Sequence, residues 1–252
     1  MGLTSENSFH GVVDATGLDS LLFSPDGRTL ATSGGADGFA RLWDTASGTL
    51  RATLEGDDYD VDSMAFSPDS KTFATIDNDG VPRLWDVPSG KARHTLRDVN
   101  GNALVFAPQH WVAFSPDGET LVAGSMDGFV QVSDVTSGSS RTLLKDPLGL
   151  NSMALSPDGR TIATAGGTDN TVRLWDAVSG KALVTLKGHT DSVNSVVFSP
   201  DSTSLATASD DTTAMVWDVA SGIARAVLTG HTDAVNSAAF SPDGKILATA
   251  SD

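Results

Sequence analysis

The chain contains no cysteine, a single tyrosine and only 16 basic residues among 252. Without thiols, disulfide staples and thiolate metal sites are excluded. No run approaches the roughly 20 apolar residues that a helical membrane span needs. The segment Met1 to Asp14 lacks a basic stretch followed by an apolar one, so no secretory signal is expected there and the expected compartment is the cytoplasm. Acidic residues number 32, giving a formal net charge of −16. A field of that sign repels phosphate backbones and anionic lipid, so neither nucleic acid nor membrane is an expected partner. A basic protein or peptide is favoured on electrostatics; the charge also serves solubility. What is present is ordinary for a folded domain: 39% hydrophobic and 19% charged residues.

Two landmarks recur. Ser-Pro-Asp followed by Gly or Ser begins at Ser24, Ser67, Ser115, Ser156, Ser199 and Ser241, at spacings of 43, 48, 41, 43 and 42 residues. Trp-Asp stands at Trp43, Trp85, Trp175 and Trp217, with Ser133-Asp134 in the third copy. Each period parses into four short strands separated by tight turns. In the fifth these run Ser192 to Phe198, Leu205 to Ser209, Ala214 to Asp218 and Ala226 to Leu228. Proline presets the first turn, and Val, Leu, Thr and Phe fill the strands. No window carries a clear helical apolar period.

Four strands per period of about 42 residues, closed by Trp-Asp, resemble the WD-repeat β-propeller family, over Gly17 to Asp252. The resemblance implies an all-β propeller of four-stranded antiparallel blades, five complete and a sixth partial, in one domain. The expected divisions are an N-terminal segment 1–16, blades at 17–56, 57–98, 99–145, 146–187 and 188–229, and a partial blade at 230–252. It also implies a brace in which a histidine before the first strand, an aspartate of the second turn, a Ser or Thr of the second strand and the tryptophan share hydrogen bonds. The fifth copy offers His189, Asp211, Thr207 or Ser209, and Trp217. The first, second and fourth copies carry Asp14, Asp57 and Asp146 in place of histidine, and the third carries Val105. Looser bracing is expected there, because buried polar groups lose partners. The repetition of these residues at motif positions argues against reading them as a hydrolase triad or a metal site, and no cofactor is expected.

Three departures from the repeat bear on function. The third copy has extra residues within Arg97 to His110, and Trp111 breaks a column of serines (Ser20, Ser63, Ser152, Ser195 and Ser237). That tryptophan is either a plug against the inserted loop or a binding anchor. The residue before this column is always polar: Asp19, Asp62, His110, Asn151, Asn194 and Asn236. With Asp60, Asn78, Met126 and Asp210 these form a candidate rim, read either as a wetted channel lining or as a socket for a basic side chain. The sixth copy stops after its second strand, which points to a fragment of a longer protein, to completion by a second chain through self-association, or to an open ring. The expected function is a protein- or peptide-binding scaffold without catalytic residues. The competing expectation is a small-molecule pocket around His110 and Trp111, with His110 and Asp62 as an acid–base pair.

Overall fold

A computed structural model describes residues 20–34, 38–55, 61–77, 80–97, 110–166 and 168–252. The first sheet holds β1 (Ser20–Phe23), β2 (Thr29–Ser33), β3 (Ala40–Asp44) and β4 (Leu50–Leu54). The second holds β5 (Val61–Phe66), β6 (Thr72–Asp77), β7 (Pro82–Asp86) and β8 (Ala92–Thr95). The third holds β9 (His110–Phe114), β10 (Thr120–Ser125), β11 (Phe129–Asp134) and β12 (Ser140–Lys145). The fourth holds β13 (Ser152–Leu155), β14 (Thr161–Gly166), β15 (Thr171–Asp176) and β16 (Ala182–Leu186). The fifth holds β17 (Val193–Phe198), β18 (Ser204–Ser209), β19 (Ala214–Asp218) and β20 (Ala224–Leu228). A last pair, β21 (Val235–Phe240) and β22 (Leu247–Ser251), follows. Every sheet is an antiparallel meander, and no helix occurs among the described residues.

The first strands pack in series: β1 against β5, β5 against β9, β9 against β13, β13 against β17, and β17 against β21. They form the inner wall, and the fourth strands are the sheet edges. This is the radial arrangement of a β-propeller. The antiparallel meander then assigns the turns. Those joining first to second and third to fourth strands share one end. Those joining second to third strands, and one sheet to the next, share the other.

Packing between sheets follows one rule. Small and branched residues of one sheet receive the aromatic residues of the next. Between the fourth and fifth sheets, Ala163, Ala165, Val172, Leu174 and Leu186 meet Val193, Phe198, Leu205, Met215 and Trp217. Between the first and second, Ala31, Ala40, Leu42 and Leu54 meet Phe66, Phe73 and Trp85. Phe73, Leu42, Leu174, Leu186 and Leu205 are fully buried.

The Ser-Pro-Asp turns are built alike in all six copies. The serine hydroxyl donates to the aspartate Oδ1 at 2.5–2.7 Å. It also accepts the main-chain N–H five residues on, at 2.9–3.0 Å. The fourth position of the turn has positive φ in every copy, which explains glycine at Gly27, Gly118, Gly159 and Gly244. Ser70 and Ser202 adopt the same left-handed conformation, at φ 62° and 61°. Each offsets that strain by reaching the preceding sheet. Ser70 Oγ accepts from Asp26 N at 3.1 Å, and Ser202 Oγ from Asp158 N at 3.0 Å.

The two serines therefore tie neighbouring sheets together, which glycine cannot do. Ser202→Ala keeps the strained backbone and loses the bond, and should cost about 1 kcal/mol in urea unfolding. Ser202→Gly loses the bond but relieves the strain, and should cost clearly less.

Candidate functional site

Four tryptophans are anchored identically. Trp43, Trp85, Trp175 and Trp217 donate their indole N–H to Thr32, Thr75, Thr164 and Thr207 at 2.9, 2.8, 2.9 and 3.0 Å. The threonine hydroxyl then has its own proton to place. In the fifth sheet, His189 Nε2 lies 2.7 Å from Thr207 Oγ1, and His189 Nδ1 lies 2.8 Å from Asp211 Oδ2. The arrangement that satisfies every atom runs one way: tryptophan to threonine, threonine to imidazole, imidazole to aspartate. Ser209 is not in this chain of donors. Its hydroxyl donates to Asp191 O and accepts from Asp211 N, both at 3.1 Å, and so holds the turn. Gly188 is required for a separate reason, since a Cβ there would lie 2.9 Å from the Trp217 ring.

Burial alone would raise the Asp211 carboxyl. Bonds from Thr213, from the main-chain N–H of Thr190 and from His189 outweigh it and hold the pKa at about 2.

The fourth sheet corrects the expectation of looser bracing. Thr164 donates to Asp146 Oδ2 at 2.8 Å, so a buried carboxylate takes the acceptor role of the imidazole. Arg173 supplies the missing donor: it bonds Asp146 Oδ1 at 3.2 Å and Asp169 Oδ2 at 2.5 Å. Asp169 is the turn aspartate, equivalent to Asp211. Aspartate plus arginine thus does the work of one histidine. The signal stands in the sequence two residues before each tryptophan, where Arg41, Arg83 and Arg173 accompany Asp14, Asp57 and Asp146, and Met215 accompanies His189. In the second sheet Arg83 is ion-paired with Asp77 at 2.6 Å. Asp14 and Asp57, and the turn aspartates Asp37 and Asp79 of the first two copies, lie outside the described residues.

The third sheet has lost the brace as a unit, with Ser133 for tryptophan, Ala123 for threonine and Gln131 for arginine. The Gln131 amide donates to Ser133 Oγ at 2.7 Å and to Arg97 O at 3.2 Å, and its Oε1 is buried without a partner.

These residues recur with the WD pattern at every level. The WD domain, G-beta repeat family matches residues 7–44, 48–86, 106–134, 138–176, 180–218 and 222–252. The chain belongs to that family. From the second onward, each WD match ends within or just past the third strand of a sheet or, in the last, at the end of the chain. The second, fourth, fifth and sixth matches begin just before the outer strand of the preceding sheet, so the repeat straddles two blades. A search of curated proteins found none that matches the chain.

In three copies the polar residue before the serine has a structural cause. The register of the inner strand shifts between Val61 and Ser63, Val193 and Ser195, and Val235 and Ser237. Asp62, Asn194 and Asn236 are therefore the extra residues of β-bulges, which re-aim a side chain out of the pleat. Two of the amides cross to the next sheet. Asn151 Nδ2 donates to Ser192 Oγ at 2.7 Å and lies 3.4 Å from Val193 O. Asn194 Nδ2 donates to Asp210 Oδ1 at 2.6 Å and lies 3.3 Å from Val235 O. Asn236 and Met126 are exposed. Asp19, Asp60 and Asn78 lie outside the described residues, and Asp62 and His110 are placed by their main chains in β5 and β9.

Trp111 is half-buried opposite Gly124 and packs on the cluster of Val122, Val130, Leu150 and Met153 between the third and fourth sheets. The inserted loop, 98–109, lies outside the described residues. A pocket of about 240 Å³ lies between the fourth and fifth sheets, lined by Asp169, Asn170, Thr171, Lys187, Gly188 and His189. Among the described residues no three His, Asp or Glu side chains are grouped to hold a metal ion.

Two predictions test this account of the braces. Arg173→Met strands a buried carboxylate and should cost roughly 3–5 kcal/mol. Adding Asp146→His recreates the His189 and Met215 pair, so the double variant should recover most of that loss in a double-mutant cycle. The depressed Asp211 carboxyl contributes stability that is full above about pH 4 and is lost as pH falls through about 2. Asp211→Asn should be less stable at neutral pH and lose less further stability between pH 4 and 2, measured by urea titrations at each pH.

Proposed function

We propose that this WD-repeat chain is a scaffold that binds a basic protein or peptide segment on the end of the propeller where the inner strands begin. WD repeats generally act as protein-interaction scaffolds, and WD-repeat proteins are typically non-enzymatic. The observation that carries the reading is the bulged polar column. A bulge at the same place in three of the six inner strands, β5, β17 and β21, sets a polar residue at one end of the inner wall, where Asn194 meets the Asp210 carboxylate. The rim set includes Asp19, Asp60, Asp62 and Asp210 but no Lys or Arg, on a chain of net charge −16. Carboxylates suit a guanidinium or ammonium, through charge-assisted bonds.

The bonds of Asn151 and Asn194 divide the work of this column. Those amides fasten one sheet to the next, leaving Asp60, Asp62 and the exposed Asn236 as the residues to meet a ligand. Trp111 packs between the third and fourth sheets, which supports reading it as a plug rather than a binding anchor. We also propose that the chain acts in the cytoplasm.

The test is a titration of an arginine-rich peptide at several salt concentrations. Replacing Asp60 and Asp62 together by alanine should weaken binding about tenfold at low salt, the equivalent of about 1.4 kcal/mol, and flatten its salt dependence. Equal affinities for the variant and the unaltered chain across the series would remove the socket.

A further inference from the structure

The outer strands carry a second pattern. In each complete sheet the register between third and fourth strands shifts beside the Trp-Asp position, so the second residue of the outer strand is a bulge. In four sheets that residue is arginine, at Arg51, Arg93, Arg141 and Arg225. Its guanidinium folds back onto the aspartate of Trp-Asp or Ser-Asp. Arg51 meets Asp44 and Arg93 meets Asp86, each at 2.6 Å; Arg141 meets Asp134 and Arg225 meets Asp218. Arg51, Arg93 and Arg225 also donate to Thr29, Thr72 and Ser204 in the second strands. A bulged, charged outer strand resists pairing with another chain.

The fourth sheet breaks this pattern. Leu183 holds the bulge position and is 58% exposed, and Val178 in the adjoining turn is 80% exposed. Asp176 accepts from Ser179 N and Oγ, as its counterparts accept from their serines. Among the described residues no guanidinium rests on it. Lys181 is close enough to act on this carboxylate through space, yet forms no ion pair with it.

We propose that this edge of the fourth sheet docks an extended partner segment in which an arginine adjoins an apolar residue. The arginine supplies to Asp176 the guanidinium that four sister sheets provide for themselves. The apolar neighbour covers Leu183 and Val178, and β16 offers an unpaired edge beyond the bulge. Charge complementarity selects this occupant: the aspartate stands in a turn that elsewhere receives arginine, on a chain of net charge −16. The surface lies at the propeller end opposite the rim proposed above, so the two sites fail or succeed separately.

The test uses the full chain and a fluorescent, end-blocked hexapeptide, Thr-Val-Arg-Val-Thr-Val, with a second peptide carrying glutamate for arginine. Anisotropy measures affinity, and amide chemical shifts locate the site. The expected result is binding that perturbs residues 176–186, weakens at least tenfold with the glutamate peptide, and weakens as much in Leu183→Arg, which rebuilds the sister clamp. Leu183→Arg should keep or raise the thermal midpoint, which separates lost docking from lost folding. Asp176→Asn should weaken the arginine peptide while leaving the glutamate peptide unchanged, and Asp60 and Asp62 alanine variants should bind as the unaltered chain does. Undiminished binding to Leu183→Arg, shifts confined to other sheets, or no binding at millimolar peptide would each overturn the proposal.

Discussion

The hydrogen bond from a tryptophan indole to a strand threonine is the constraint on which the rest of the molecule depends. It fixes the third strand against the second, holds Trp85, Trp175 and Trp217 toward the preceding sheet, and leaves one hydroxyl proton to be placed. A buried hydroxyl without an acceptor is costly. A sheet with this hub must therefore bring a further polar group from the segment preceding its first strand. His189 does this in the fifth sheet and Asp146 in the fourth. In the sixth copy His231 reaches Thr249 at 2.8 Å, with Ser251 on its other nitrogen. Where the tryptophan is absent, as at Ser133, the threonine is absent too, which is what a hub shared by both requires.

Between sheets the chain uses two further kinds of tie, one at each end. Asparagine amides at the heads of inner strands cross at one end, and positive-φ serines of the Ser-Pro-Asp turns cross at the other. The apolar contacts between are supplied by small residues facing aromatics. A surface feature on this scaffold is thus best read against its sister positions. Leu183 is informative because four sheets show what normally stands there, just as Trp111 is informative against a column of serines.

Much of the fold was legible because it is written six times. Landmark spacing located the strands to within a residue or two: the fifth sheet's third strand, Ala214–Asp218, was read at its observed bounds. The outer strand was read short, since Arg225 is the bulge residue and interrupts the alternation after Ala224. The WD family and the all-β propeller arrangement were both readable. The brace was legible only where histidine is present. Reading Asp146 as a loss missed Arg173, because the compensating residue is 27 positions away and belongs to a different strand. The polar column was visible, but its cause was not: a bulge leaves the local composition unchanged and reveals itself only in pairing register. The roles of Asn151 and Asn194 could not be separated in advance from those of their neighbours, because their partners Ser192 and Asp210 lie in other turns of the chain.

The most direct measurement of the central claim is hydrogen exchange at the indole N–H groups, resolved by NMR. If the threonine hub operates in every sheet that has a tryptophan, Trp43, Trp85, Trp175 and Trp217 should all exchange slowly and within about tenfold of one another. Trp111, whose indole has no partner among the described residues, should exchange far faster. Slow exchange at Trp217 alone, with Trp43, Trp85 and Trp175 as fast as Trp111, would contradict the equivalence of the histidine and aspartate–arginine braces.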